Sequence, residues 1–503
     1  MKRKTDLFHL IKAMSKSEKR YFSLDAQKSG RKGARYLDLF RAINGMDEYD
    51  EAKLRRQFPK NLPTDKAYLY EAILRSMRDY RSANSHAARI KELILDAKYL
   101  YERGLYAQSE ERLSIAKSLA YELGDQLSVL ELNKEYRQIL RDTKKKGYEQ
   151  ELEALILEKD DTIEQLKEEF SYLDTLDKLL FEIRKNPQQR AEPAQQKKLK
   201  SQFTNLLDYK GSAPDNIQAK LRFYQCMALL YQLLDNVEQV YYYFSKIVEC
   251  WDASPKYKSE EFSRYIYDFS NLLHATFSDQ TKFHLMPKLL EQLEEERPVS
   301  FHDQKVLFQK STSYRLVYMI NIGDFKQVEK LAGNVEKGLK QYDIGRGSEM
   351  TISFNLAILL FMAEKFELCE QWSGRIISRT RYAFRKDIQN TARILHLIAV
   401  FELDDFDETE HALRNTARYF QKAAQELAFY KQLVSYIKKL HNNPPAAAKE
   451  TLSEMQDFLN DLRTQKVKIP LGLDELLLLW IESRLKRRSI ATIMQSREEL
   501  ATG

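Results

Sequence analysis

Glu102-Arg103-Gly104-Leu105-Tyr106 and Asn321-Ile322-Gly323-Asp324-Phe325 are the two stretches that decide how this chain folds. In each, an apolar helical pattern runs into a glycine, and an aromatic residue then opens a second helical pattern. Glycine enters the left-handed backbone region without a steric penalty, so it ends a helix and turns the chain sharply. Related turns stand at Lys146-Gly147-Tyr148, Leu234-Asp235-Asn236-Val237, Ala363-Glu364-Lys365-Phe366 and Leu403-Asp404-Asp405-Phe406. The opening residues are Tyr106, Tyr148, Val237, Phe325, Phe366 and Phe406, with separations of 42, 89, 88, 41 and 40. A period near 40–44 accounts for all five, with two of the gaps spanning two periods. The two absent marks should then fall near 190 and 281, at Asn186-Pro187-Gln188-Gln189 and Ser278-Asp279-Gln280-Thr281. One helical hairpin cannot bury its own apolar face, so a repeat of this length predicts hairpins stacked on neighbours.

Composition agrees. The chain has 503 residues, more than one compact core accommodates. Hydrophobic residues are 43% and charged residues 31%, enough apolar surface to offset chain entropy and exclude general disorder. Only 15 Gly and 11 Pro are present, too few for a sheet-rich or loop-rich fold. Together with the turn spacing this predicts a helix content of roughly 70% or more, with essentially no strand. Cys226, Cys250 and Cys369 stand alone, without a CxxC pair, and read as small buried apolar residues. The basic start, Met1-Lys2-Arg3-Lys4, is followed by Leu7-Phe8-His9-Leu10-Ile11-Lys12, which polar residues interrupt. The longest strongly apolar run, Leu476 to Ile481, is far short of the ~20 residues a membrane span needs. A cytoplasmic location is the resulting expectation.

Charge divides the chain. Residues 1–90 hold 21 Lys/Arg against 11 Asp/Glu, a net of +10, and the remainder holds 60 against 63, a net of −3. The basic part reads as short helices. Ser15-x-x-Glu18 forms a capping box, and Tyr36, Leu37, Leu39, Phe40 and Ile43 share a helical face. A short helix from Asp50 to Phe58 stops at Pro59, and Thr64-Asp65 reads as the cap of the next. The two form a loose helix-turn-helix outline whose turn reads as longer than the usual three or four residues. The cations singled out as a basic surface are Lys28, Arg31, Lys32, Arg35, Arg55 and Arg56.

The hairpin region resembles tetratricopeptide repeats. Ala97, Gly104, Tyr106 and Ala116 carry the resemblance best, and Ala228, Asn236, Phe244 and Pro255 follow. Gly323-Asp324-Phe325 matches at the turn, and Ala357 with Phe366 weakly. The likeness covers roughly residues 90–440, and its period exceeds the 34 residues of that family. It implies an all-α fold with a right-handed α–α solenoid; the small basic helical module that precedes it falls outside the resemblance. The parts expected are residues 1–88, a repeat region over 89–441, and C-terminal capping helices over 442–503. It further implies that small residues mark helix crossings, that first helices line a concave face, and that the chain binds a protein or peptide. Within residues 149–184, Asp160-Asp161-Thr162 reads as a helix end with a new N-cap, so two helices are expected there rather than one long coiled coil. After His441-Asn442-Asn443-Pro444-Pro445, one helix is expected over about 446–466. A second, Leu473–Lys486, is expected to cover the last exposed core.

No catalytic pattern stands out. GxxxxGK[ST], HExxH and GxSxG are all absent, and Gly345-Arg346-Gly347-Ser348 follows a helix rather than a strand. No catalytic residue, metal ligand or cofactor site is therefore expected. Aromatic residues are the more suggestive feature, with 29 Tyr and 25 Phe. Tyr241-Tyr242-Tyr243-Phe244 must point around most of a helix, so at least one tyrosine should avoid the core. Tyr224, Tyr231, Tyr265, Tyr267, Tyr314 and Tyr318 fall on first helices and are the candidate anchors for a partner, because tyrosine dominates binding hot spots. The expected function is a non-catalytic scaffold that binds a protein or peptide. The alternative is a regulator of nucleic-acid function, with the basic module touching DNA or RNA and the solenoid acting as sensor.

Overall fold

A computed structural model describes residues 5–28, 35–82, 85–143, 147–185, 192–209, 211–378, 385–421, 428–467 and 469–502. It is 84% helix, with 26 α-helices and no strand among the described residues. None of these helices is long and apolar enough to cross a membrane. The turn residues explain how such a chain changes direction. Gly104, Gly147, Asp235, Gly323, Glu364 and Asp404 all have positive φ, between 55° and 91°. At four of the turns the N–H that follows bonds a carbonyl five residues back. These bonds run Leu105 to Leu100 (3.1 Å), Asn236 to Tyr231 (3.0 Å), Asp324 to Met319 (3.3 Å) and Lys365 to Leu360 (2.9 Å). They satisfy carbonyls that the helix end would leave unpaired. The mark expected near 281 lies in the connection between Phe262–Ser278 and Met286–Glu295. The one expected near 190 falls outside the described residues, as does Arg31-Lys32.

The chain forms two compact units, Met1–Gln280 and Thr281–Gly503. The first begins with helices Asp6–Ala13, Lys16–Lys28, Arg35–Asn44, Glu51–Gln57 and Leu62–Ser82, which enclose a core of their own around Leu7, Phe22, Phe40, Leu54 and Ile73. The capping box is in place. Ser15 N–H donates to Glu18 Oε2 (2.7 Å) and Glu18 N–H to Ser15 Oγ (3.1 Å). The last helix of this group starts at Leu62 rather than at a Thr64-Asp65 cap, because Pro63 suits the first turn and Asp65 is engaged by Arg35 (2.7 Å). The turn after Glu51–Gln57 is therefore only four residues, 58–61.

Hairpins follow: His86–Tyr101 with Tyr106–Leu123, Gln126–Thr143 with Tyr148–Lys185, and Ile217–Leu233 with Val237–Asp252. Ala97, Ala116 and Ala228 are fully buried in them, as their small size at a crossing requires. Residues 148–185 form one unbroken helix of 38 residues, not two. Thr162 does not cap a new helix. Its hydroxyl donates to the Glu158 carbonyl four residues back (2.7 Å), and its side chain is buried. The first half of this helix meets Asn133 through Leu155 and Glu158, and its second half packs on Ile217–Leu233. Contacts also run between residues far apart in sequence. Asn216 donates to the Gly124 carbonyl (3.2 Å), Ser85 to Glu260 (2.6 Å) and Lys256 to Glu122 (2.5 Å). The first hairpin thus touches residues near 216 and 256 as well as its sequence neighbour, which a purely nearest-neighbour stack does not do.

In the second unit, Phe301–Ile322 packs chiefly along Arg346–Met362 and meets Val328–Gln341 where Phe308 lies on Gly338, while Arg346–Met362 pairs with Phe366–Ser378 and Lys386–Glu402 with Phe406–Gln421. Ala428–Asn442 and Pro445–Thr464 continue the series. The final helices, Leu473–Lys486 and Ile490–Thr502, do more than cover the last hairpin. Leu476 through Ile481 are all buried, so this central stretch of the helix is enclosed on every side. Trp480 Nε1 donates to Glu402 (2.7 Å), Arg484 pairs with Glu402 (2.7 Å) and Glu364 (3.6 Å), and Met494 lies against Gly323. The chain end therefore runs back along the turns of three earlier hairpins.

Candidate partner-binding site

The tyrosines named from the sequence separate into distinct environments. Tyr265 is fully enclosed between Trp251 (ring centroids 6.2 Å), Phe262 (5.7 Å) and Phe269 (5.7 Å), with the Lys258 ammonium over its ring. Its ring is core, out of reach of a partner. Tyr314 is largely buried, and burial pushes its phenol up to about 12. Tyr318 is half-buried against Phe283 (5.8 Å), and Tyr267 is half-exposed on Phe262–Ser278.

Tyr224 and Tyr231 belong together. Both lie on Ile217–Leu233 and meet Tyr243 of Val237–Asp252, Tyr224 at 6.0 Å and Tyr231 stacked at 5.7 Å. Tyr242 adds an edge contact to Tyr243 (5.0 Å) and is 47% exposed. Phe244, next in sequence, points into the core. On the other side Tyr224 touches Phe223 (5.5 Å), which in turn meets Tyr172 and Tyr209, each at 5.4 Å. The result is an aromatic ledge across three helices that reaches Tyr209, with Phe223 itself buried. The phenol groups of Tyr224, Tyr231, Tyr242 and Tyr243 have no hydrogen-bond partner among the described residues. None of them is sealed away from solvent. Partial burial raises the Tyr224 phenol above its ordinary value and pushes Tyr243 up to about 12, so both stay protonated and able to donate. Sequence reading found Tyr224 and Tyr231 from their helix. Helical spacing also requires at least one tyrosine of Tyr241–Tyr243 to avoid the core, but it gives no means of placing Tyr243 against Tyr231.

Beside the ledge lies a buried polar network that sequence reading missed. Asp268 is enclosed and accepts from Gln225 Nε2 (2.7 Å) and Trp251 Nε1 (2.9 Å). Arg222 donates to Gln225 (3.2 Å), and Arg264 to the Tyr257 hydroxyl (3.0 Å). Burial raises the Asp268 pKa, with Arg264 and the two hydrogen bonds opposing it. A carboxyl whose folded pKa exceeds its unfolded value contributes stability that is fully present below the unfolded pKa. That stability is lost as pH rises through the folded one. Asp268→Asn is therefore expected to flatten the fall in stability above about pH 4, the ordinary aspartate range. Urea midpoints across pH check this; a slope equal to that of the parent would mean that Asp268 ionises alike in both states.

Burial also pushes the Cys226 thiol up to about 12 and raises Cys369, so neither is a ready nucleophile. No group of three or more metal-ligating side chains occurs among the described residues. Of the basic candidates, Arg35 is held by Asp65 and the Lys60 carbonyl, Arg55 pairs with Glu51 (3.3 Å), and Arg56 is exposed without a partner among the described residues. Lys28 closes its helix, and Arg31 and Lys32 lie outside the described residues. No family model, curated protein or solved structure matches this chain.

Proposed function

We propose that this chain is a non-catalytic binding protein of the tetratricopeptide-like solenoid type, and that the tyrosine ledge of its first unit takes an extended segment of a partner protein. The observation that carries the reading is the set of four solvent-reaching phenol groups without an internal hydrogen bond, held in one cluster of rings around Tyr243. Tyrosine gives rigid apolar contact at low entropy cost, and its hydroxyl meets peptide N–H and C=O groups. The rings are already packed on each other, so little ordering remains to be done on binding. The recurring left-handed turns support the solenoid part of the reading. The second unit is a poorer receptor by the same logic, because its own C-terminal helices already lie across its hairpin turns.

For a ligand that engages the ledge, Tyr231→Ala or Tyr242→Ala is expected to weaken binding by about 2 kcal/mol, roughly thirty-fold in Kd. Tyr267→Ala, on another helix, should leave affinity unchanged. Isothermal titration with a selected peptide measures both; equal effects at all three positions would place the binding surface elsewhere.

A further inference from the structure

The basic module contains a second, chemically different surface. Glu51–Gln57, the four-residue turn 58–61 and Leu62–Ser82 form a helix-turn-helix, in which Asn61 takes the left-handed conformation (φ 59°) that a tight turn needs. Internal bonds fix this unit. Lys66, itself buried, reaches Glu51 (2.6 Å) across the turn and also bonds Tyr49. Arg35 ties the preceding helix to Asp65 and to the Lys60 carbonyl. The same bonds occupy the nearby acids. Asp50 accepts from the Lys53 N–H as N-cap, Glu51 is held by Lys66, and Asp65 is held by Arg35. Lys53, Arg56 and Lys60 remain exposed with no side-chain partner among the described residues. Asp47 and Glu48, on the preceding loop, and Glu71, on the second helix, are the exposed acids left nearby. Further exposed cations without partners are Lys16 and Arg20 on Lys16–Lys28, and Arg75 and Arg78 on Leu62–Ser82. On the second helix, Leu62, Lys66, Leu69, Ile73 and Ser76 face inward. Thr64, Ala67, Tyr68 and Glu71 are exposed over its first turns.

We propose that this module binds duplex DNA. Lys53, Arg56 and Lys60 contact phosphates, and the exposed start of Leu62–Ser82, with Thr64 and Tyr68, enters the major groove. The occupant follows from two features together. Free cations flank a short turn, as phosphate contact requires, and the second helix presents its N-terminal residues outward, the part that a helix-turn-helix directs at base edges. The net charge of +10 over residues 1–90 supplies the long-range attraction.

The test is a fluorescence-anisotropy titration of labelled random-sequence duplex DNA, and separately of single-stranded RNA and polyglutamate, into the full-length protein near physiological salt. Saturable duplex binding tighter than about 100 μM is expected, with a log–log salt slope of about −0.9 per phosphate contacted. The Lys53→Gln/Arg56→Gln/Lys60→Gln triple variant should weaken duplex binding and flatten the slope by about 0.9 for each contact removed. These side chains are exposed, and far-UV circular dichroism confirms folding; the single variant Arg56→Gln, expected to flatten the slope by about 0.9, serves if the triple variant unfolds. Tyr231→Ala should bind duplex as the parent does, which separates this test from that of the tyrosine ledge. Absence of saturable duplex binding overturns the proposal. So does a slope that the folded variant leaves unchanged, or a preference for the RNA or the polyglutamate over duplex.

Discussion

Trp480→Ala is expected to destabilise the C-terminal unit by about 3–5 kcal/mol, the range for removing a large buried aromatic. Trp480 is completely buried, and its neighbours Leu476–Leu479 and Ile481 are buried too, so the void has no solvent-facing side through which to collapse. A second cost adds to the cavity. Trp480 Nε1 is one of the donors to Glu402, whose carboxyl is shielded from water and raised in pKa by that burial. Arg484 remains, through Nε at 2.8 Å and Nη2 at 2.7 Å, so the carboxylate is not orphaned. Trp480→Phe separates the two contributions. It keeps most of the ring volume and loses the donor, for a cost of about 1–3 kcal/mol. Chemical denaturation with tryptophan-independent detection checks both, and equal losses for Phe and Ala would show that the hydrogen bond, not packing, holds this helix.

The second large effect has a sign that helix propensity alone would get wrong. Gly333 and Gly338 both lie inside Val328–Gln341, and alanine in place of an interior helical glycine normally stabilises by about 1 kcal/mol. At Gly333 a Cβ meets nothing within 4 Å, so Gly333→Ala should give that gain. At Gly338 a Cβ falls within the Phe308 ring, which lies directly on the glycine backbone. Phe308 is half-buried and packed against Tyr342 (5.4 Å), so its ring gives way only by disturbing that contact. Gly338→Ala should therefore destabilise by about 1–3 kcal/mol through overpacking. Thermal denaturation of the two variants side by side is the check, and a rise in midpoint for both would show that Phe308 is not seated there.

Much of this architecture is legible in the chain because it is set locally. A left-handed residue between two helices is a demand on one position, and Gly104, Gly323, Asp235 and Asp404 are residues that meet it readily. Glu364 is not, and the signal there is Phe366, the aromatic residue that opens the following helix. The features that escaped are those in which distant side chains overrule a local signal. Asp160-Asp161-Thr162 has the composition of a helix boundary, yet both flanking stretches pack on partners in line and the helix continues. Thr64-Asp65 has the composition of a cap, yet Arg35 takes the Asp65 carboxylate and the helix begins three residues earlier. Nothing near Leu473 announces that its helix returns to Glu402 and Glu364, because that depends on a fit between surfaces about 80 to 120 residues apart in a compact unit. The tyrosine ledge was half-legible for the same reason. Helical spacing named Tyr224 and Tyr231, whereas their convergence on Tyr243 comes from packing between hairpin partners.

The central claim, that the ledge is a receptor for peptide, is tested most directly by selecting a random-peptide display library on the parent protein. The enriched peptides are then titrated into the parent and into Tyr231→Ala and Tyr242→Ala. Enriched, saturable peptides are expected, with an affinity that falls roughly thirty-fold in either variant. Peptides that bind both variants as tightly as the parent, or a library that yields no saturable binder, would contradict it.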